Sequence, residues 1–184
     1  MTWTLAARTL AAFLVWNLLA WPVSSAWSGV VAEIVEFLWN VVTPHGQSLK
    51  VTMSRTLGWR WSPADIGGSL APGMLTWNVV LYMTAWSVVP GVSSSTRVRW
   101  VVVAAPVLAL WHVADLLLTV ESHLLTLTRP DSYDISAGAG LWFLGVKFAH
   151  NLSVLGLRQV IPLLLLAAQW LHRRRGENEN TPII

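Results

Sequence analysis

The stretch that decides the fold runs from Leu141 to Arg175 and reads LWFLGVKFAHNLSVLGLRQVIPLLLLAAQWLHRRR. A bilayer has a hydrocarbon core about 30 Å thick, and a helix needs roughly 20 apolar residues to cross it. The second half of the stretch nearly supplies that length, with Trp170 placed for an interfacial anchor and three consecutive arginines at a cytoplasmic end. The pattern therefore predicts a transmembrane helix at residues 141–172.

The first half of the same stretch carries a polar stripe made of Lys147, His150, Asn151 and Arg158. Lys147 and Arg158 are about three helical turns apart, so they share one face of an ideal helix. A polar face on a membrane helix must meet protein, water or head groups instead of lipid tails. We expect the stripe to contact a partner or lipid. The alternative is that Lys147 and His150 reach to the interface while Arg158 pairs inside the bundle.

Composition excludes several classes of protein. The 184 residues are 54% hydrophobic and only 11% charged, whereas a soluble domain has about 25% charged residues. The 13 tryptophans suit interfacial anchoring at many helix ends. The absence of Cys excludes disulfides, thiolate metal sites and Cys nucleophiles. The net charge of +3 does not form a basic patch, so no nucleic-acid partner is expected.

The chain as a whole predicts an all-α integral membrane protein with four transmembrane helices and small extramembrane segments. The predicted spans are residues 3–23, 70–89, 100–120 and 141–172. Arg8, Arg97, Arg99 and the final arginines would then lie on one side of the membrane. Because short cytoplasmic segments are enriched in Lys and Arg, we expect a multi-pass protein of the bacterial inner membrane with both termini in the cytoplasm.

Two segments, 27–69 and 121–140, are expected outside the bilayer. Residues 27–42 form an amphipathic helix that either lies on the membrane or extends the first helix. Alternation in residues 47–61 indicates one short hairpin, which should rest on a helix or a partner because a lone hairpin is marginal in water. The polar residues 176–184 are predicted to be a disordered tail.

The third predicted helix bears a second group of polar residues, His112, Asp115, Glu121 and His123. Imidazoles and carboxylates could hold a metal, relay a proton or bind a quinone head. The alternative is an interhelical hydrogen-bond pair. His112 and His123 are only weak metal candidates, because no third ligand is fixed, so no metal or cofactor is predicted.

Two further predictions concern contacts within and around the bundle. Asp115 is the only acidic residue in the clearly membrane-embedded part of the sequence, so Arg158 should pair with it if that arginine lies below the interface. Asn78 and Tyr82 are one turn apart on the second span and share a face. We expect them at a partner or lipid contact.

Short motifs along the chain resemble the small membrane proteins associated with exosortase type H in Gram-negative bacteria. The motifs are Trp21-Pro22 at the end of the first span, Trp77-Asn78 through Tyr82 in the second, and Pro162 before a basic tail in the last. The resemblance implies an accessory role beside a membrane transpeptidase that processes sorted surface proteins. This chain cannot be the transpeptidase, because the nucleophile of that family is a Cys.

No phosphate-binding glycine loop, Ser–His–Asp set or pair of catalytic carboxylates can be placed in the sequence. We therefore expect a non-catalytic accessory subunit that packs against a larger integral membrane protein. One version of this hypothesis places it beside an exosortase-type enzyme, and another beside an energy-transducing or secretion assembly. The alternatives are a small redox or transport protein that uses His112, Asp115 and Arg158, and a lipid-binding protein that uses the basic stripe.

Overall fold

The computed structural model describes residues 2–43, 47–53, 56–62, 64–70, 73–128 and 138–179. These residues are mostly helical and include one small antiparallel sheet. In chain order the elements are α1 (Thr2–Val42), β1 (Ser48–Met53), β2 (Leu57–Ser62), β3 (Ile66–Leu70), α2 (Gly73–Val88), α3 (Ser94–Thr128), α4 (Gly138–Leu152), a π-helical turn (Ser153–Leu157) and α5 (Arg158–Glu179).

Two helical stretches, Ser94–Thr128 and Gly140–Arg174, are long and apolar enough to cross a membrane. The two parts of α1 are bent by 59° and make a third candidate if they form one span. Helix α2 has 16 residues, about 24 Å, which is less than the thickness of the hydrocarbon core. The structure thus supports a membrane protein, and the four-span layout stays a prediction.

The first and third helices are longer than the predicted spans. Helix α1 continues to Val42, so residues 27–42 extend the first helix. Its bend falls at Pro22, where the ring removes a backbone donor and clashes with the preceding turn. Helix α3 continues to Thr128, which corrects the expectation that the chain leaves the helix at residue 121.

The predicted hairpin is a three-stranded meander in the order β1-β2-β3, so the expectation of an all-α protein is corrected. The second predicted span also begins later, because Leu70 ends β3 and α2 starts at Gly73. Along β1, Leu49 and Val51 are buried while Lys50 and Thr52 are exposed. This alternation shows that one face of the sheet packs on the protein and the other faces outward.

The inner face of the sheet packs against the second half of α1 and the second half of α3. The apolar core between them, called the sheet core below, consists of Val31, Ala32, Val35, Leu49, Val51, Leu57, Trp59, Val113, Leu116, Val120 and Leu124. The free edge of β1 is also tied to α1. The Asn40 amide binds both backbone groups of Leu49, and the Val51 N–H donates to the Glu36 carboxylate.

A second apolar cluster holds the other end of the helices together. Tyr82 and Trp86 of α2 pack there against Ala104 and Leu108 of α3, with partly buried side chains of α5 around them. Arg97 closes this end of the bundle, since its guanidinium donates to the carbonyl oxygen of Trp86 in the last turn of α2 and to those of Val89 and Val92 just beyond it.

The last predicted span is interrupted. A π-helical turn at Ser153–Leu157 separates α4 from α5. Helix α5 continues to Glu179, so the beginning of the tail predicted as disordered is helical, and residues 180–184 lie outside the described part of the chain.

A candidate functional site between the helices

Polar side chains from five helical segments meet between the helices, and we call this group the polar layer. Its members are Trp27 of α1, Asn78 of α2, His112 and Asp115 of α3, Ser153 of the π-helical turn and Arg158 of α5. Asn78, His112, Asp115 and Ser153 are each at most 1% exposed. A buried polar group is costly unless it is hydrogen-bonded, so the stability of the layer depends on the partner of each group.

Asp115 and Arg158, whose pairing is predicted from the sequence, are in contact. The Arg158 Nε donates to the Asp115 Oδ2 at 2.8 Å, and the Ser153 hydroxyl donates to Oδ1. The carboxylate is 1% exposed and the guanidinium side chain 12%. Both carboxylate oxygens thus have a donor, which is the condition under which a buried charge is tolerated.

The π-helical turn explains why Ser153 and Arg158 reach the same carboxylate. Residues five apart in an α-helix point roughly 140° away from each other. In a π-helical turn the bond runs from residue i to i+5, and the Arg158 N–H does bind the Ser153 carbonyl. The two side chains are thereby brought to one face. Such turns occur frequently at functional sites, and here the turn builds the ion pair.

His112 is held from two sides. The Trp27 Nε1–H donates to the His112 Nδ1 at 2.9 Å, and the Asn78 amide lies 3.4 Å from Nε2. Since Nδ1 accepts a hydrogen bond, the ring is neutral with its proton on Nε2. The atom of Asn78 nearest to that proton is Nδ2, and the Asn78 Oδ1 has no partner among the described residues. A half-turn of the amide group would exchange the two atoms and let Oδ1 accept from Nε2. The layer therefore ties α1, α2 and α3 together through one imidazole.

The second group of titratable side chains lies along α3 and α4, beyond the polar layer. The rings of His123 and His150 are 6.4 Å apart, and Thr119 lies between them. Lys147 donates to the Ser122 carbonyl at 2.9 Å and to the Thr126 hydroxyl. Lys147 and Arg158 both reach α3, Lys147 at its far end and Arg158 at its middle.

The residues expected at a partner or lipid contact differ from one another in how far they are buried. Asn78 and Tyr82 are each 1% exposed, which corrects their assignment to an outer surface. Tyr82 faces inward, since its hydroxyl donates to the Gln169 Oε1 at 2.7 Å. Lys147 and His150 are half-buried against α3, and Asn151 is exposed.

The histidines of α3 do not come together. His112 is buried in the polar layer, whereas His123 is exposed and lies 5.9 Å from the Trp59 ring. Within the described residues, no group of three or more His, Cys, Asp or Glu side chains could hold a metal ion. Glu121 accepts a hydrogen bond from the Trp142 indole at 3.1 Å instead of joining the histidines.

Sequence reasoning missed Trp27, Ser153 and Gln169 as partners of the polar residues. Neither Trp27 nor Ser153 stands out in the sequence, and each lies far along the chain from its partner. Sequence spacing gives no signal for Ser153, because residues five apart lie on different faces of an α-helix and share a partner here only through the π-helical turn. Comparisons with protein-family models, curated proteins and solved structures find no match to this chain.

Proposed function

We propose that the chain is a non-catalytic accessory subunit of a larger bacterial membrane complex, embedded in the inner membrane through four spans with both termini in the cytoplasm. The observation that carries the proposal is that Asp115 and His112, the two titratable groups buried at the centre of the polar layer, are enclosed by other side chains of this chain. Both oxygens of the Asp115 carboxylate accept hydrogen bonds from side chains of this chain, and the His112 ring lies between Trp27, which donates to Nδ1, and the Asn78 amide. Groups held in this way position helices, whereas a reacting group needs an atom free for substrate.

The outer surface of the helices also supports the proposal. Large apolar side chains are exposed along α1, α3 and α5, among them Leu18, Leu110 and Leu164. Such a surface fits lipid tails or neighbouring transmembrane helices equally well. The sheet is too small to act alone and rests on α1 and α3. A protein of this kind contributes by packing and by positioning a larger partner.

The resemblance described above suggests one version of the proposal, in which the partner is an exosortase-type protein-sorting transpeptidase. The catalytic Cys of the transpeptidase would then belong to the partner protein. The other version is a subunit of an energy-transducing or secretion assembly. The two versions differ in the protein that should be recovered with this chain.

The proposal is tested by purifying the tagged full-length chain from its native membrane in a mild detergent. We expect one larger membrane protein in a constant ratio to the chain, identified by mass spectrometry. An Asn151→Leu variant locates the contact. It makes an exposed polar position of α4 apolar, so it should lower the recovery of the partner if this face of α4 is the contact. A chain that is recovered alone, folded and with only lipid would contradict the proposal.

The alternative function, a small redox or transport protein, is favoured by one observation: two contacts between polar groups, Asn78–His112 and Asp115–Arg158, lie within one turn of each other on α3 between the helices. The visible spectrum and metal content of the purified protein distinguish the two functions. A Soret band or a stoichiometric metal would favour the alternative.

A further inference from the structure

The Arg158 side chain has unused hydrogen-bonding capacity inside the bundle. Its Nε is bonded to Asp115, but among the described residues neither Nη atom has an acceptor. The four N–H bonds on these two atoms need acceptors, because an unsatisfied donor in hydrocarbon costs several kcal/mol. The side chain is 12% exposed, so it reaches the surface of the molecule, where something else can accept these bonds.

The depth of Arg158 limits what that acceptor is. Arg173 lies fifteen positions further along α5, which is about 22 Å of helix. If Arg173 marks one edge of a hydrocarbon core about 30 Å thick, Arg158 lies roughly 8 Å inside the opposite edge. That distance is within the range over which an arginine and a head group approach each other by snorkelling and local thinning of the bilayer.

The charge around Arg158 favours an anion. Asp115 neutralises the charge of Arg158. Lys147, in α4 on the N-terminal side of Arg158, adds a further positive charge. The Arg158–Asp115 pair is neutral as a unit, so Lys147 leaves this side of the helical stretch with a net charge of +1 when His150 is neutral. A single phosphate monoanion would balance it, and a guanidinium binds a phosphate through two parallel hydrogen bonds.

We propose that the Nη edge of Arg158 binds the phosphate of a phospholipid from the leaflet opposite Arg173. The chemistry recognised is a phosphate monoanion on a diacylglycerol, held by the guanidinium fork and favoured by the charge of Lys147. Asp115 and Ser153 hold the fork in position. The site does not rest on the accessory role, because a lipid bound there needs no partner protein.

The test uses the full-length chain, delipidated in a maltoside detergent, with thermal unfolding and lipid retention in native mass spectrometry as readouts. The added probes are phosphatidylglycerol, a galactosyl diacylglycerol with the same acyl chains, and inorganic phosphate. We expect phosphatidylglycerol to raise the melting temperature and to be retained, with a smaller effect of the galactolipid and none of inorganic phosphate.

The diagnostic variant is Arg158→Lys, which keeps a positive charge beside Asp115 but loses the fork. It should bind phosphatidylglycerol about tenfold more weakly, as expected for the loss of charge-assisted hydrogen bonds. The matched control is Gln159→Ala, at the exposed neighbouring position, which should bind as the wild type does. A Lys147→Gln variant should weaken binding less than Arg158→Lys.

Three results would overturn the proposal. The galactolipid could stabilise the protein as much as phosphatidylglycerol does, which would show that only acyl chains are recognised. Inorganic phosphate alone could give the full effect, which would remove the lipid as the source. Lipid binding could also be unchanged in Arg158→Lys while a co-purifying membrane protein is lost, which would assign the Nη edge to a protein contact. That last result would leave the accessory role standing.

Discussion

Two ion pairs of this chain lie in very different surroundings, one on the sheet and one between the helices. Arg60 and Asp65 approach to 3.3 Å on the outer side of the sheet, with each side chain 74% exposed. Asp115 and Arg158 approach to 2.8 Å with 1% and 12% exposure. The first pair can exchange its partner for water, and the second cannot.

The difference reflects how each region is held together. The sheet gains its position by burying apolar side chains such as Leu57 and Trp59 against α1 and α3, which the hydrophobic effect stabilises. Between helices in lipid there is no such driving force, because lipid tails are as apolar as the side chains. Hydrogen bonds such as those of Asp115 and His112 then determine which helix faces meet.

The largest expected effect comes from breaking the buried pair. Asp115→Asn leaves the Arg158 charge without its counter-ion and should lower the free energy of unfolding by about 3–5 kcal/mol. Asp65→Asn should lower it by less than about 1 kcal/mol, because the exposed pair is screened by water. Asn also tolerates the positive φ of 52° at this position. Denaturant titration of both variants in the same detergent measures the difference.

A double variant sharpens this comparison. Asp115→Leu combined with Arg158→Leu removes both charges, and it should be closer in stability to the wild type than either single variant, because a buried pair and an apolar replacement are often equivalent. If Asp115→Asn and Asp65→Asn prove equally mild, the surroundings do not separate the two pairs and the comparison is wrong.

The sheet core should be sensitive to lost volume instead of lost charge. Leu57 is fully buried in it, so Leu57→Ala should cost about 2–5 kcal/mol through the cavity that it leaves. Leu155 is 80% exposed on the helix surface, and Leu155→Ala should change the free energy of unfolding much less. Equal losses at both positions would show that the sheet core is not a packed core.

The close packing of the sheet leads to a second prediction, with a smaller expected change in the free energy of unfolding. A Cβ on Gly68 would lie 2.8–2.9 Å from ring atoms of Trp59, so Gly68→Ala should cost about 1–3 kcal/mol as an overpacked variant. Gly145 in α4 has no atom within 4 Å of such a Cβ. Gly145→Ala should therefore stabilise the protein by about 0.5–1 kcal/mol, since Ala is the better helix former. Thermal unfolding of the two variants should show opposite shifts.

Much of this architecture follows from local patterns in the sequence. The long apolar runs predict helices where α1, α2, α3 and the last helical stretch lie, and the strand pattern of residues 47–61 predicts β1 and β2. The pairing of Asp115 with Arg158 follows from elimination, because no other acid lies in the apolar runs. These inferences need only the spacing of residues and the cost of an unpaired charge.

Other features depend on contacts between distant residues, and no local pattern contains them. The strand β3 reads IGGSL, and its two glycines indicate a loop until Trp59 is known to pack against Gly68. The π-helical turn is invisible in SVLGL, because its register is set by Asp115. Asn78 and Tyr82 share a face as predicted, but which way that face turns depends on His112 and Gln169.

The smallest expected effect concerns the edge of β1, where α1 takes the place of a fourth strand. Asn40 binds the N–H and the carbonyl of Leu49 at 2.9 and 3.1 Å. Asn40→Ala should cost about 0.5–1.5 kcal/mol and should speed hydrogen exchange at the Leu49 amide by roughly fivefold. Glu33→Ala, at an exposed position of the same helix, is the control and should leave that amide unchanged. If the Leu49 amide stays protected in Asn40→Ala, apolar packing alone holds β1 on α1. The two regions would then differ completely, because hydrogen bonds to side chains would stabilise the contacts between the helices and not the contact of the sheet with α1.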